Sequence, residues 1–246
     1  SFNFDLIERE LVYREGKLQQ VAAFEANEAH HLIEEFMVAA NEAVASFLAR
    51  KVPLSLYRVH PAPGLADLGE LRSLLDHFGF SLPQPERVTP KDLQRVLKQV
   101  EGQPEEKFIQ SQVLRSLRLA VYSAENTGHY GLAKKEYTHF TSPIRRYPDL
   151  IVQRLVKAAL RGEKLRMPAL ASLALHCSER ERAADEAEKQ LVEWRIFRFL
   201  KSKLGEQFDG IIADITKAGI VVQLEEYFVE GLIAYADLGG DYYDRR

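Results

Sequence analysis

The chain has 246 residues, 46% of them hydrophobic, with a net charge of −3. That size suits one large domain, or one domain with a small companion; no apolar run reaches the ~18 residues a membrane-spanning helix needs, and no basic segment leads into an apolar stretch as a secretory leader would. Cys177 is the single cysteine, which excludes an internal disulfide and a cysteine-based zinc site and fits a reducing, cytoplasmic setting. The first residue is Ser1 rather than Met, so the chain is expected to be a piece of a longer protein.

In chain order, Phe4 to Val21 reads as two short strands turning at Glu15-Gly16-Lys17. Asn27 is placed to cap a long amphipathic helix that Pro53 ends. Its apolar residues Leu32, Ile33, Phe36, Met37, Ala40, Val44, Phe47 and Leu48 recur at helical spacing. A short strand over 56–60 is stopped by Pro61 and Pro63. Further helices are expected over 66–78, closed by Gly79, then from Thr89-Pro90-Lys91, then over 105–122. The stretch 126–142 is irregular and rich in His, Tyr, Thr and Gly. Pro143 is expected to open a helix to about Leu160. Pro168 or Ala169 should start another, running to near Gly205 with Ala184, Ala187, Leu191 and Trp194 on one face. From Phe208 the period shortens: 210–212, 219–224 and 231–234 read as successive strands of a small meander or barrel. The pattern is α+β, with a first domain over 1–204 and a second over 205–246.

Charge is unevenly spread. Between His129 and Arg166 stand nine Lys or Arg against three acids, while 205–246 has three against nine. A basic stretch in an acidic chain suits a polyanion, or is simply a solvated helix face. Within it, Ser142 is a candidate helix cap with Pro143 in the first turn and Arg145 and Arg146 following. A helix start and a guanidinium fork both favour phosphate. The competing reading is an ion pair with Asp149 on the same helix, expected for Arg146, whereas Arg145 is expected to face a ligand.

The run His129-Tyr130-Gly131-Leu132-Ala133, then Tyr137-Thr138-His139-Phe140-Thr141-Ser142-Pro143-Ile144-Arg145-Arg146-Tyr147-Pro148-Asp149, resembles the signature of the ribonuclease II/R (RNB) family. The likeness extends to 29–41, to Tyr57-Arg58-Val59-His60 and to 176–187, and the ribonuclease R branch is nearest. Lys134, where an apolar residue is expected, and Gln153, where the family often has His, depart from the pattern.

The resemblance implies the C-terminal half of an RNB catalytic domain followed by an incomplete antiparallel OB-fold barrel. It also implies a 3′-to-5′ exoribonuclease that hydrolyses RNA to nucleoside monophosphates by Mg²⁺-assisted attack of water on the phosphodiester. The substrate would be the 3′ end of single-stranded RNA. The family's run of closely spaced aspartates is not found, and Asp237 to Asp244 has the wrong context. The Mg²⁺ ligands are therefore expected in an N-terminal remainder of the same protein, which this chain would meet as a partner, and no metal ligand is assigned here. Arg145 is implied as the catalytic residue on the scissile or adjacent phosphate. Among RNA-binding candidates, Phe4 either stacks on the terminal base or packs as a strand residue. Glu186 or Glu188 would accept a 2′-OH hydrogen bond. Ser142, Arg146, Tyr137 and His139 line the same loop, the last two more as shaping than as ligating groups. The alternative is a catalytically inactive RNB-fold protein that binds RNA or regulates.

Overall fold

In the computed structural model, which describes residues 8–15, 17–24, 26–52, 54–163, 169–227 and 229–238, Asn27 caps α1 (Glu28–Lys51) as expected. The Asn27 side chain accepts from the His30 N–H at 3.1 Å. Pro53 lies outside the described residues. Only the second half of α1 is buried, through Asn41, Ala45 and Leu48. Leu32, Ile33 and Phe36 of its expected apolar face are exposed.

The described chain divides into two compact units. The larger takes in Asn27–Arg182. After α1 come β3 (Tyr57–Val59), α2 (Leu65–His77), α3 (Pro90–Val100), α4 (Glu106–Ser116), β4 (Val121–Ser123), α5 (Tyr147–Arg161) and the first part of α6 (Leu170–Leu200). At the start of α3, Asp92 accepts from the Thr89 N–H at 3.0 Å, with Pro90 in the first turn. The helix expected over 105–122 stops at Ser116. Val121 and Tyr122, a β-branched and an aromatic residue suited to a pleated surface, instead pair antiparallel with Val59 and Arg58. Two cores result. Leu48, Leu56, Tyr122, Ile151, Val152 and Cys177 contribute to one, and Leu71, Leu75, Leu93, Val96, Ile109 and Val113 to the other.

One further expectation is corrected. The helix expected from Pro143 begins at Tyr147, with Arg146 as its cap. Pro148 has no N–H to donate to the Ile144 carbonyl, so a helix cannot run through from 143 but can restart with Pro148 in its first turn. On α6, Ala184, Ala187, Leu191 and Trp194 are exposed. The face actually buried is formed by Val192, Ile196, Phe199 and Leu200.

The smaller unit takes in the described residues within 8–26 and 183–238. It holds the antiparallel hairpin β1 (Glu8–Arg14) and β2 (Lys17–Phe24), the rest of α6, and a three-stranded sheet in the order β5 (Gly210–Ile215), β6 (Gly219–Leu224), β7 (Glu230–Ala234). Among the described residues this sheet does not close into a barrel. Its core gathers Val21, Ile196, Tyr227 and Val229. Gly219 faces β7 so closely that a Cβ would collide with the Ile233 carbonyl oxygen.

Candidate functional site

The signature segment hangs from β3. His60, one residue past that strand, donates from Nε2 to the Arg118 carbonyl (2.6 Å) and accepts at Nδ1 from the Gly131 N–H (2.9 Å). That fixes one neutral tautomer, in keeping with a pKa lowered mainly by burial. The His60 backbone bonds Gly128 and Tyr130, and His129 and Lys134 close a tight turn on each other. Gly128 adopts φ 81° and Ala133 φ 52°, so the turn needs two left-handed residues. Lys134, the departure from the family pattern, has a charged partner: its Nζ lies 2.5 Å from Glu42 of α1.

Beyond the turn, aromatic rings stack edge to face: His60 on His129, His129 on Tyr137, Tyr137 on His139, and His139 on Tyr122. Tyr137 is buried and its hydroxyl accepts from Asn41 Nδ2 at 3.0 Å. The Tyr122 hydroxyl is 2.8 Å from His139 Nδ1. Burial, then the nearby Arg146 and Arg58 charges, push the His139 pKa down to about 2, and burial with His60 takes His129 to about 3. Both imidazoles are neutral at physiological pH and offer no positive charge to a phosphate. Arg58 reaches Glu181 at 2.5 Å and lies 4.7 Å over the Tyr122 ring.

At the end of the segment, Ser142 to Arg145 form a turn in which the Arg145 and Arg146 N–H groups both bond the Ser142 carbonyl. Asp149, fully buried in the first turn of α5, accepts at Oδ1 from the Ser142 N–H (2.8 Å) and from Arg146 (2.8 Å). Ser142 is thus not the helix cap expected from the sequence. The positive pole of α5 is already met by the Asp149 carboxylate. Arg146 takes the ion pair expected of it. Arg145 is exposed, its side chain has no ion-pair or hydrogen-bond partner among the described residues, and Ile144 and Tyr147 near it are exposed as well. Within the same stretch, Thr141 Oγ1, Arg146 Nε and Asp149 Oδ2 are buried without a hydrogen-bond partner among the described residues.

The structure therefore brings Tyr137, His139, Ser142, Arg145 and Arg146 into one segment. Glu186 and Glu188 are exposed on the part of α6 that belongs to the smaller unit, where Glu186 accepts from Gln190. Phe4 lies outside the described residues. Sequence reasoning missed Asn41 and Arg58 as partners of the segment, and Glu181 as the partner of Arg58. The one available signal was an Asn on the apolar side of an otherwise amphipathic helix. Among the described residues no group of three or more His, Cys, Asp or Glu is placed to hold a metal ion.

Residues 1–162 match the family model described as the RNB domain. The chain is 42% identical to ribonuclease R of Aquifex aeolicus over 99% of its own length and 35% of that protein. It superposes on Mycoplasma genitalium RNase R in complex with ribose-methylated single-stranded RNA with TM-score 0.90 and 28% identity, covering 98% of this chain and 39% of that one. On the same protein in complex with double-stranded RNA the TM-score is 0.86 at 27% identity, over 96% of this chain and 43% of the other. The chain spans about a third of the length of the curated relatives it matches.

Proposed function

The chain belongs to the RNB family, and from that membership we propose that it is part of a 3′-to-5′ exoribonuclease, supplying one wall of the site that hydrolyses RNA to nucleoside monophosphates. The observation that carries the reading is the contrast between neighbours: Arg146 is held by Asp149, while Arg145 stands exposed and unpartnered among the described residues. A planar, permanently charged fork left free beside a rigid turn suits a phosphate oxygen. The unpartnered buried atoms at Thr141, Arg146 and Asp149 support a further neighbour at this segment, from RNA or from another part of the protein.

The substrate in this reading is the 3′ end of single-stranded RNA, and the compartment is the cytoplasm, which suits a lone cysteine. We assign 1–204 to the catalytic domain and 205–246 to the start of an OB-type barrel, a division supported by the three-stranded tail sheet, whose first strand begins at Gly210. The described residues do not fit a Mg²⁺ site, so the metal's ligands are assigned to the N-terminal remainder of the protein. What this chain supplies is orientation and charge. Arg145 holds the phosphate, and the neutral histidine–tyrosine stack keeps the loop's shape without adding charge. The alternative, a catalytically inactive RNA-binding relative, shares all of these features. The complete protein with Mg²⁺ should release nucleoside monophosphates from a 3′-labelled RNA and stop on chelation, and this chain alone should release almost none. Robust metal-dependent turnover by the chain alone would overturn the division of labour. A complete protein that binds RNA without cleaving it would favour the inactive alternative.

A further inference from the structure

Phe140, five residues before Arg145, is gripped at both of its backbone polar groups by side chains from two different helices. Its N–H donates to Asn41 Oδ1 of α1 at 2.9 Å. Its carbonyl accepts from Gln153 Nε2 of α5 at 3.1 Å. The amide orientations are dictated by the partners. A backbone N–H can meet only the oxygen of Asn41, which leaves Nδ2 for the Tyr137 hydroxyl, and a carbonyl can meet only the NH₂ of Gln153. Both helices are anchored in the same core, α1 through Leu48 and α5 through Ile151 and Val152. From Phe140 onward the backbone has one more fixed point, the Ser142 N–H on Asp149, before the turn that presents Arg145.

We propose that Asn41 and Gln153 are positioning residues that act as a two-sided clamp on Phe140 and thereby set where Arg145 meets the phosphate. The proposal rests on the reading of Arg145 given above. It also gives Gln153, one of the two departures from the family pattern, a physical role. A histidine at this position can donate to the same carbonyl through a ring N–H, so the clamp requires a donor of suitable reach rather than an amide as such. Neither residue contacts the reacting groups in this account; loss of the clamp lets the Arg145 turn drift. Small misplacements of such a group cost rate while leaving most of the binding contacts in place.

The test uses the complete protein. Gln153→Leu removes the donor at similar size, Gln153→His restores one, and Asn41→Ala removes the other side. Each is made alone and with Arg145→Ala. Single-turnover cleavage, RNA affinity and melting temperature are measured together. Gln153→Leu should slow cleavage by about tenfold or more, up to about a hundredfold, with RNA affinity changed far less, and Gln153→His should recover most of the rate. In the Arg145→Ala background Gln153→Leu should add little further loss, because the group it positions is gone. Asn41→Ala empties a buried polar site and lowers the melting temperature as well, which is why the partly buried Gln153 carries the comparison. An undiminished rate for Gln153→Leu, or a loss that multiplies fully on top of Arg145→Ala, would overturn the clamp while leaving Arg145 in place. Normal cleavage by Arg145→Ala alone would remove the reading beneath it, and the clamp with it.

Discussion

The signature loop over 126–146 and the tail sheet over 210–234 are ordered by opposite means. The loop has almost no regular ladder. It is tied by side chains from distant positions: Asn41 and Glu42 from α1, His60 after β3, Tyr122 on β4, Gln153 and Asp149 on α5. The sheet is held by backbone pairing from Gly210↔Leu224 to Gly219↔Ala234, broken by one bulge between Ile212 and Asp214. Yet Ile212 and Leu232 remain more than half exposed upon it. Regular backbone pairing is therefore a poor guide to which segment is most firmly held. The irregular segment is the one whose geometry is fixed from several sides, as the role proposed for Arg145 would require.

Four perturbations should act differently on the two regions. The largest effect is expected at Asp149, whose buried carboxylate joins Ser142 to Arg146. Asp149→Ala should cost about 3–5 kcal/mol, as for a broken buried pair, read as a lower melting temperature of the complete protein. A loss below about 1 kcal/mol would mean the carboxylate is not the loop's main tie. Next comes Gly219→Ala, where the new Cβ meets the Ile233 carbonyl. It should cost about 1–3 kcal/mol and speed amide hydrogen exchange over 210–234 while leaving 126–146 unchanged. Faster exchange in the loop would show that the two regions are not independent.

Acid should separate the regions further. His129 and His139 have folded pKa values of about 3 and about 2 against an ordinary 6.5. Between those limits the unfolded chain binds more protons than the folded one, so stability is level above about pH 6.5 and falls as the pH drops below it. One pH unit should cost about 1 kcal/mol per histidine. No histidine lies in 205–246, so exchange in the loop should quicken before exchange in the tail. Simultaneous loosening would count against histidine neutrality as the cause. The smallest effect is expected from Lys134→Leu, which removes a partly exposed pair with Glu42. It should shift stability by under about 1 kcal/mol, and a larger loss would make that pair one of the loop's main ties.

Local chemistry was legible in the sequence. The Asn27 cap, the Thr89-Pro90 helix start, the Gly79 stop and the three tail strands all follow from short-range rules, and the structure has them. The pairing of Arg146 with Asp149 was legible too, being three residues apart on one helix. Pro143 and Pro148 compete for the same helix start, and only the missing N–H of the second decides between them. Which face of α6 is buried was not legible, because charged and apolar residues alternate around it and the buried side depends on the partner strands. Asn41 to Tyr137 and Arg58 to Glu181 span 96 and 123 positions, and no local pattern reports such contacts.

The central claim is that two adjacent arginines do different work, one on the substrate and one on the fold. Single-turnover cleavage by the complete protein, measured beside RNA affinity and melting temperature, tests it for Arg145→Ala, Arg145→Lys and Arg146→Ala. Arg145→Ala should slow cleavage by roughly a hundredfold, about 3 kcal/mol of transition-state stabilisation, with a much smaller change in affinity. Arg145→Lys should recover little, since it keeps the charge but not the fork. Arg146→Ala should lower the melting temperature more than the rate. Near-normal cleavage by Arg145→Ala, or a greater loss of rate in Arg146→Ala than in Arg145→Ala, would contradict the account.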